Sequence, residues 1–170
     1  MKRAQPMQID LIRAGPHHRR LLRQLYELYG HDFSPMTKSD IGDDGLFTAD
    51  DFLSDWPADL DIFLIKVDGH WAGFAWIARG SYIDPTIGDH YLMDEFFIMR
   101  KYRSRNIGEQ AAVRLFNTYA GTWEVGEIPE NVDAQVFWRK VIGRYTDDHF
   151  DEVIVDNERW RGPVQIFTTS

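Results

Sequence analysis

The stretch His90–Ala112, HYLMDEFFIMRKYRSRNIGEQAA, decides the fold. It opens with an apolar, β-rich run, passes through a basic turn and ends in the start of a helix. In that helix Ile107, Ala111, Leu115 and Tyr119 recur every four residues, widened by Ala112 and Phe116. The first N–H groups of any helix lack intrahelical acceptors, and the helix dipole favours an anion beside them. A turn rich in Arg and Ser, with Asn106 and Gly108 at the helix start, therefore reads as a phosphate-binding nest.

Working outward, the preceding segment is a hairpin. Asp61–Val67 and His70–Ala78 are two β-rich runs joined by Asp68-Gly69, a strong type I′ turn signal. Gly73 inside the second run predicts a bulge or a close backbone approach. Further upstream, Gln8–Arg13 reads as a short strand. From His17 to Tyr29 a helix is predicted, with Leu21, Leu22, Leu25, Leu28 and Tyr29 on one face and Gly30 and Pro35 as its stop. The segment from His31 to Asp61 is irregular and acidic. It is expected to be a long loop with one short helix near Ala49–Trp56, capped by Thr48. It reads either as an acceptor-binding wall or lid, or as a solvated acidic surface.

Downstream, Gly121 reads as a helix C-cap and Trp123–Ile128 as a fifth strand. A helix from the N-cap Asn131 follows, with Ala134, Phe137, Trp138, Val141, Ile142 and Tyr145 on one face. Two strands, near Phe150–Val155 and Val164–Thr168, close the chain. This order predicts a mixed α/β domain spanning residues 1–170, neither a helical bundle nor a strictly alternating doubly wound sheet.

Composition narrows the function. With 27 acidic against 19 basic residues the net charge is −8, which opposes attraction to nucleic acid or anionic membranes and suits a cationic substrate. The absence of cysteine removes disulfides, thiol catalysis and Cys-ligated metals. No long apolar run or signal-like start is present, so a cytoplasmic location is expected.

The segment Phe96–Gly108, FFIMRKYRSRNIG, resembles the acetyl-coenzyme A signature of the GCN5-related N-acetyltransferases (GNAT), an apolar strand ending in a Q/R-x-x-G-x-G/A turn, here Arg103-x-x-Asn106-x-Gly108. Asn106 stands where the family most often has glycine. Among non-glycine residues, asparagine takes positive φ most readily. The element order resembles the family as well, from the Asp-Gly hairpin to the helix at Asn131.

The resemblance implies a mostly antiparallel mixed sheet, splayed between its fourth and fifth strands and flanked by helices. It implies acetyl transfer from acetyl-coenzyme A (acetyl-CoA), without a metal, to a primary amine on a small molecule or peptide. Phe97, Ile98 and Met99 would contact pantetheine through their backbone, with an N–H near Ile98 or Met99 polarising the thioester carbonyl. Arg103, Ser104, Arg105, Asn106, Ile107 and Gly108 would form the pyrophosphate nest. Asn131 would contact pantetheine, and Phe137 or Trp138 would form a wall. A homodimer is left open. The alternative function is a non-catalytic acyl-CoA sensor or interaction module on the same fold.

Direct attack by an amine needs a base and a proton donor for the leaving thiolate. Asp94 and Glu95 interrupt an apolar strand; one is expected to face the cleft, as base or ammonium anchor, or else to be a salt-bridged structural acid. The family's usual acid is a tyrosine at the position of Trp138, and an indole N–H is not an acid at useful pH. Tyr145, Tyr119 or water is left to take that role. Asp40–Asp51 partly fits a calcium loop, but Gly42 removes a ligand and Asp51 is shorter than the usual glutamate, so no metal is expected.

Overall fold

The computed structural model describes residues 7–48 and 53–170. Among these, seven strands and three helices follow in the order β1 (Ile9–Arg13), α1 (Arg19–Thr37), β2 (Asp61–Val67), β3 (His70–Arg79), β4 (Tyr91–Ile98), α2 (Ile107–Thr118), β5 (Gly121–Gly126), α3 (Val132–Thr146), β6 (Asp151–Asp156) and β7 (Arg161–Thr169). They build one sheet in the order β1-β2-β3-β4-β5-β7-β6. Every pairing in it is antiparallel except β4 with β5. That parallel pair touches only at Tyr91↔Trp123 and Leu92↔Glu124. Beyond Leu92 the two strands part, which is the expected splay.

Alternation along the strands divides the core into two layers. On one face, Ile62, Leu64, Phe74, Trp76 and Phe97 pack against Leu22 and Leu25 of α1. On the other, Ala75, Ile77, Met93, Trp123 and Phe167 pack against Ala112, Leu115 and Phe116 of α2 and Trp138, Val141 and Ile142 of α3. The Asp68-Gly69 turn has positive φ at both residues, 49° and 78°, as a type I′ hairpin requires.

Bulges interrupt the ladders of β3 and β4. In β3, Ala72 is the extra residue between the pairs Gly73↔Ile65 and Trp71↔Lys66. Gly73 is the close approach its sequence position predicts: a Cβ there would lie 1.9 Å from the Phe97 carbonyl oxygen. In β4, Asp94 is the extra residue between Glu95↔Trp76 and Met93↔Ile77.

The first helix departs from expectation. Gly30 and Pro35 do not stop it; it runs to Thr37 and ends at Lys38, whose φ of 59° is left-handed and whose N–H bonds to the Ser34 carbonyl at 2.9 Å. Pro35 has no N–H for the carbonyl of His31, and the Ser34 hydroxyl supplies the missing donor at 2.9 Å. Gly30 serves packing instead, because a Cβ there would come within 2.9 Å of the Phe47 Cβ. Leu28, expected on the apolar face, is exposed, and Tyr26 points inward in its place.

Other boundaries shift for similar reasons. Gly121 opens β5 with φ 142° rather than capping α2, whose last residue is Thr118. The short helix expected near Ala49–Trp56 falls partly outside the described residues, and Leu53–Trp56 are not helical.

Candidate active site

The nest is built from backbone. A 3-10 turn (Arg100–Tyr102) follows β4, and within the next few residues Ser104 (φ 59°) and Asn106 (φ 61°) both adopt the left-handed conformation. Two such residues flanking Arg105 curl the chain so that α2 begins directly after Asn106. The first intrahelical bond runs from the Gln110 N–H to the Asn106 carbonyl at 3.1 Å, so the N–H groups of Ile107, Gly108 and Glu109 precede the helical ladder. Gly108 is the contact point with α3: a Cβ there would meet the Phe137 ring at 3.1 Å. Phe137 in turn stacks on Phe96 with ring centroids 6.1 Å apart. Phe137 thus stands between the nest and the cleft.

The basic side chains of the turn are arranged differently. The Arg103 Nε–H bonds to the Ile98 carbonyl at 2.7 Å, and its Nη2 bonds to Asp32 on α1. The Arg100 Nε–H reaches the same carboxylate at 2.9 Å. Partial burial pushes the Asp32 carboxyl up, but the guanidiniums of Arg103 and Arg100 outweigh it and hold the group below the usual carboxylate range. Arg103, expected in the nest, is therefore turned away from it: its N–H bonds to the Arg100 carbonyl at 3.2 Å and its charge is directed at α1; Arg105 is exposed.

At the strand end, the expected backbone donors are only partly available. The Met99 N–H bonds to the Ala72 carbonyl at 2.8 Å. Backbone groups of successive strand residues address opposite edges, so Phe97 shares the β3-facing edge with Met99, and Phe96 and Ile98 address the gap left by the splay.

That gap opens into a cavity of about 420 Å³. Its polar lining is dominated by Asp94, Glu95 and Glu127, and no Lys, Arg or His is among the described lining residues. The bulge at Asp94 explains why both strand carboxylates face the cavity. Strict alternation would admit one, but an extra residue lets two neighbours share a side.

Glu95 is held by α1, accepting hydrogen bonds from the Tyr26 hydroxyl at 3.0 Å and from the Tyr29 hydroxyl. Burial pushes its carboxyl up to about 7, against the two tyrosine bonds that favour ionisation. Both tyrosines are pushed well up by burial and by the adjacent carboxylate. Asp94, beside Tyr82, is also raised by burial. Neither carboxyl forms a salt bridge among the described residues.

The third carboxyl comes from the chain just after β5. Glu127 is 4% exposed. One oxygen accepts from the Gln165 Nε2–H at 3.2 Å, and the other, Oε1, has no hydrogen-bond partner among the described residues. Burial pushes this carboxyl up to about 8. Sequence reasoning passed over both Glu127 and Tyr26. An acid beside the turn residues at the end of the expected strand Trp123–Ile128 was the available signal for the first, and the spacing of Tyr26, one helical turn before Tyr29, for the second.

The remaining expected residues divide. Asn131 and Trp138 line the cavity, Asn131 while its side chain accepts from the Ala134 N–H at 3.2 Å as the N-cap of α3. Tyr145 is not brought to the site. Its hydroxyl bonds to Asn117 at 2.8 Å and its ring packs on Phe116 of α2 and Phe167 of β7, and it is not among the residues lining the cavity. The Tyr119 hydroxyl bonds to Asp61 at 2.7 Å, also away from the cleft.

The acidic loop supplies the cavity with Ser39, Phe47 and Thr48, while Asp40, Asp43 and Asp44 face solvent. Glu27 on α1 fixes the loop by accepting from the Phe47 and Thr48 N–H groups at 2.7 and 3.0 Å. The calcium-like segment extends into undescribed residues; among the described residues no group of three His, Asp or Glu is placed to hold a metal. Nor is any described helix long and apolar enough to cross a membrane.

A sheet splayed after Leu92, with a turn of two left-handed residues leading into a helix beside the gap, is a distinctive arrangement. The fold is that of the GNAT acetyltransferases. An acetyltransferase from Thermus thermophilus superposes with a TM-score of 0.67 at 13% identity, over 95% of this chain and 97% of that one. A GNAT-family acetyltransferase from Staphylococcus aureus gives 0.62 at 14% identity, over 95% and 99%. The spermidine N-acetyltransferase of Vibrio cholerae, in complex with CoA and spermine, gives 0.61 at 11% identity, over 95% of each chain. No protein-family model and no curated protein sequence matches this chain. Likeness at this identity establishes the GNAT fold.

Proposed function

We propose that the protein transfers an acetyl group from acetyl-CoA to a primary amine by direct attack. The observation that carries this reading is Glu95: a carboxyl pushed up to about 7, held by two tyrosine hydroxyls, beside the gap between splayed strands. A base for an ammonium group works best with a pKa near the working pH.

The residues present fit the coenzyme. Ser104 and Asn106 hold the turn open to an anion, and Gly108 leaves the space against Phe137 that a Cβ would fill. Ile107, Gly108 and Glu109 would hold the pyrophosphate through their N–H groups. Phe96 through its gap-facing backbone, and Ile98 through its N–H, its carbonyl being bonded to Arg103, would pair with the pantetheine arm, replacing the Met99 N–H, which is bonded to Ala72. Acetyl-CoA supplies an acetyl thioester already activated toward amines.

Within the cavity, Glu95 takes the proton from the incoming ammonium, and Tyr26 and Tyr29 stabilise the carboxylate that acts as base. Asp94 keeps a second negative group near the amine. No tyrosine occupies the position of Trp138, so the proton that neutralises the leaving thiolate comes from solvent or from Glu95 itself. The Vibrio cholerae neighbour, a spermidine N-acetyltransferase bound to spermine, supports an amine acceptor.

Trp138 also favours a second reading, a CoA-binding module without turnover. Thiol release from acetyl-CoA across an amine panel separates the two. Amine-dependent release is the expected result; coenzyme binding with no release from any amine would establish the sensor instead.

A further inference from the structure

We infer that the acceptor is a diamine whose second, non-reacting ammonium is held by Glu127. The inference deepens the acetyl-transfer reading and rests on it for the fate of the first amine.

Charge count is the starting point. The cavity presents three carboxyls, Asp94, Glu95 and Glu127, and no basic side chain among its described lining residues. A monoamine matches one of them. Two are adjacent in sequence at the β4 bulge, whereas Glu127 follows the end of β5, across the splay. A ligand that satisfies both ends must carry a positive group at each.

Glu127 is built as a receiving group. It is 4% exposed, and only its Oε2 is engaged by a described residue, Gln165. Arg139, whose charge reaches Glu127, gives its hydrogen bonds to Glu152 in a two-point pair at 2.8 and 2.9 Å. Gln165 joins that pair by donating to Glu152 at 2.7 Å. Among the described residues, Oε1 is thus a buried oxygen without a partner in a cavity that lacks cations. Leaving a buried polar group unsatisfied is costly, so such groups mark places where a ligand supplies the missing bond. Burial alone accounts for most of the rise of this carboxyl to about 8. An ammonium at Oε1 reverses that effect by stabilising the charged form.

The surroundings suit an alkyl spacer between two cations. Trp160 lies over Gly126, where a Cβ would come within 2.8 Å of its ring, and Trp138, Phe96 and Tyr29 continue the aromatic lining toward Glu95. Aromatic rings take up methylene groups and attract cations. A hydroxyl or carboxamide at the second position would bond to Glu127 without stabilising its charged form, as an ammonium does.

The test compares putrescine with butylamine, which has the same spacer and lacks the second ammonium. The expected kcat/KM ratio favours putrescine by about a hundredfold, carried mainly by KM, and Glu127→Gln reduces that preference by about tenfold or more. Equal kcat/KM for the two amines, with either acetylated, overturns the inference and leaves acetyl transfer standing. Calorimetry of putrescine binding to the full chain provides a readout free of turnover. If no amine is acetylated but Glu127→Gln weakens putrescine binding about tenfold, the acetyl-transfer reading fails and the diamine site stands. Putrescine binding that Glu127→Gln leaves unchanged, or no binding at all, overturns the diamine site. Melting temperature confirms that the variant is folded; should it not fold, the wild-type ratio alone decides.

Discussion

The proposed coenzyme side and the proposed acceptor side of the cleft are made from different materials. The nest consists of backbone: two left-handed residues, a helix start, and a glycine that admits Phe137. Its arginines at 100 and 103 face α1 rather than the anion site. The acceptor side consists of side chains from separate elements: Glu95 from β4, Tyr26 and Tyr29 from α1, Glu127 from beyond β5. Backbone sites tolerate sequence change provided the conformation survives, whereas side-chain sites stand or fall with individual residues. Asn106 in place of the usual glycine fits the first case, and the loss of a tyrosine at Trp138 fits the second.

The largest expected effect falls on the acceptor side. Glu95→Gln keeps the shape and the tyrosine contacts but cannot accept a proton, so kcat falls by about a hundredfold or more. Acetyl-CoA affinity changes little. In the wild type, kcat/KM rises with pH through about 7 as Glu95 ionises, and the variant lacks that limb. An unaltered pH profile in the variant would remove Glu95 as the base.

The opposite pattern is expected for Gly108→Trp. The new ring has no room against Phe137, which already lies 3.1 Å from the place of a Cβ, so coenzyme affinity falls by about tenfold or more in calorimetry. Unchanged affinity would show that the anion site lies elsewhere.

The smallest effect concerns stability. Glu95 and Glu127 hold protons to about 7 and about 8 in the folded state, whereas the unfolded chain releases them near the ordinary carboxylate range. Between those limits the folded state binds more protons, so stability is greatest at the acidic end of that window and declines as pH rises. Melting temperature is therefore expected to fall from about pH 5 to about pH 8, and less steeply in the Glu95→Gln, Glu127→Gln double variant. Equal slopes would mean that other groups govern the dependence.

What could be read from sequence follows the same division. The hairpin at Asp68-Gly69, the N-cap at Asn131, the close approach at Gly73 and the turn at Asn106 all depend on local backbone requirements, which leave a residue-type signature. Gly30 and Pro35 misled because tertiary and local partners, Phe47 and the Ser34 hydroxyl, overrode their usual role as helix stops. Tyr145 misled because helical periodicity places it on the same face as Trp138 but two turns further along, over Phe167 rather than over the gap. The acidic loop drew attention by its charge density, yet the carboxyls in the cavity are an adjacent pair in β4 and one residue just after β5. Their proximity depends on the β4 bulge and the splay, neither of which is encoded in any single residue.

The bulge has one more consequence. Met93 pairs with Ile77 and Glu95 with Trp76, which are themselves consecutive, so the ladder on either side of Asp94 is already in phase without it. Met93 and Phe96 pack toward α2 and α3, and Glu95 toward α1, as a regular strand lacking Asp94 would place them. The strand is one residue longer than its pairing requires. In architectural terms the extra residue is an ornament of the ladder: it brings a carboxyl to the cleft without changing the phase of the sheet.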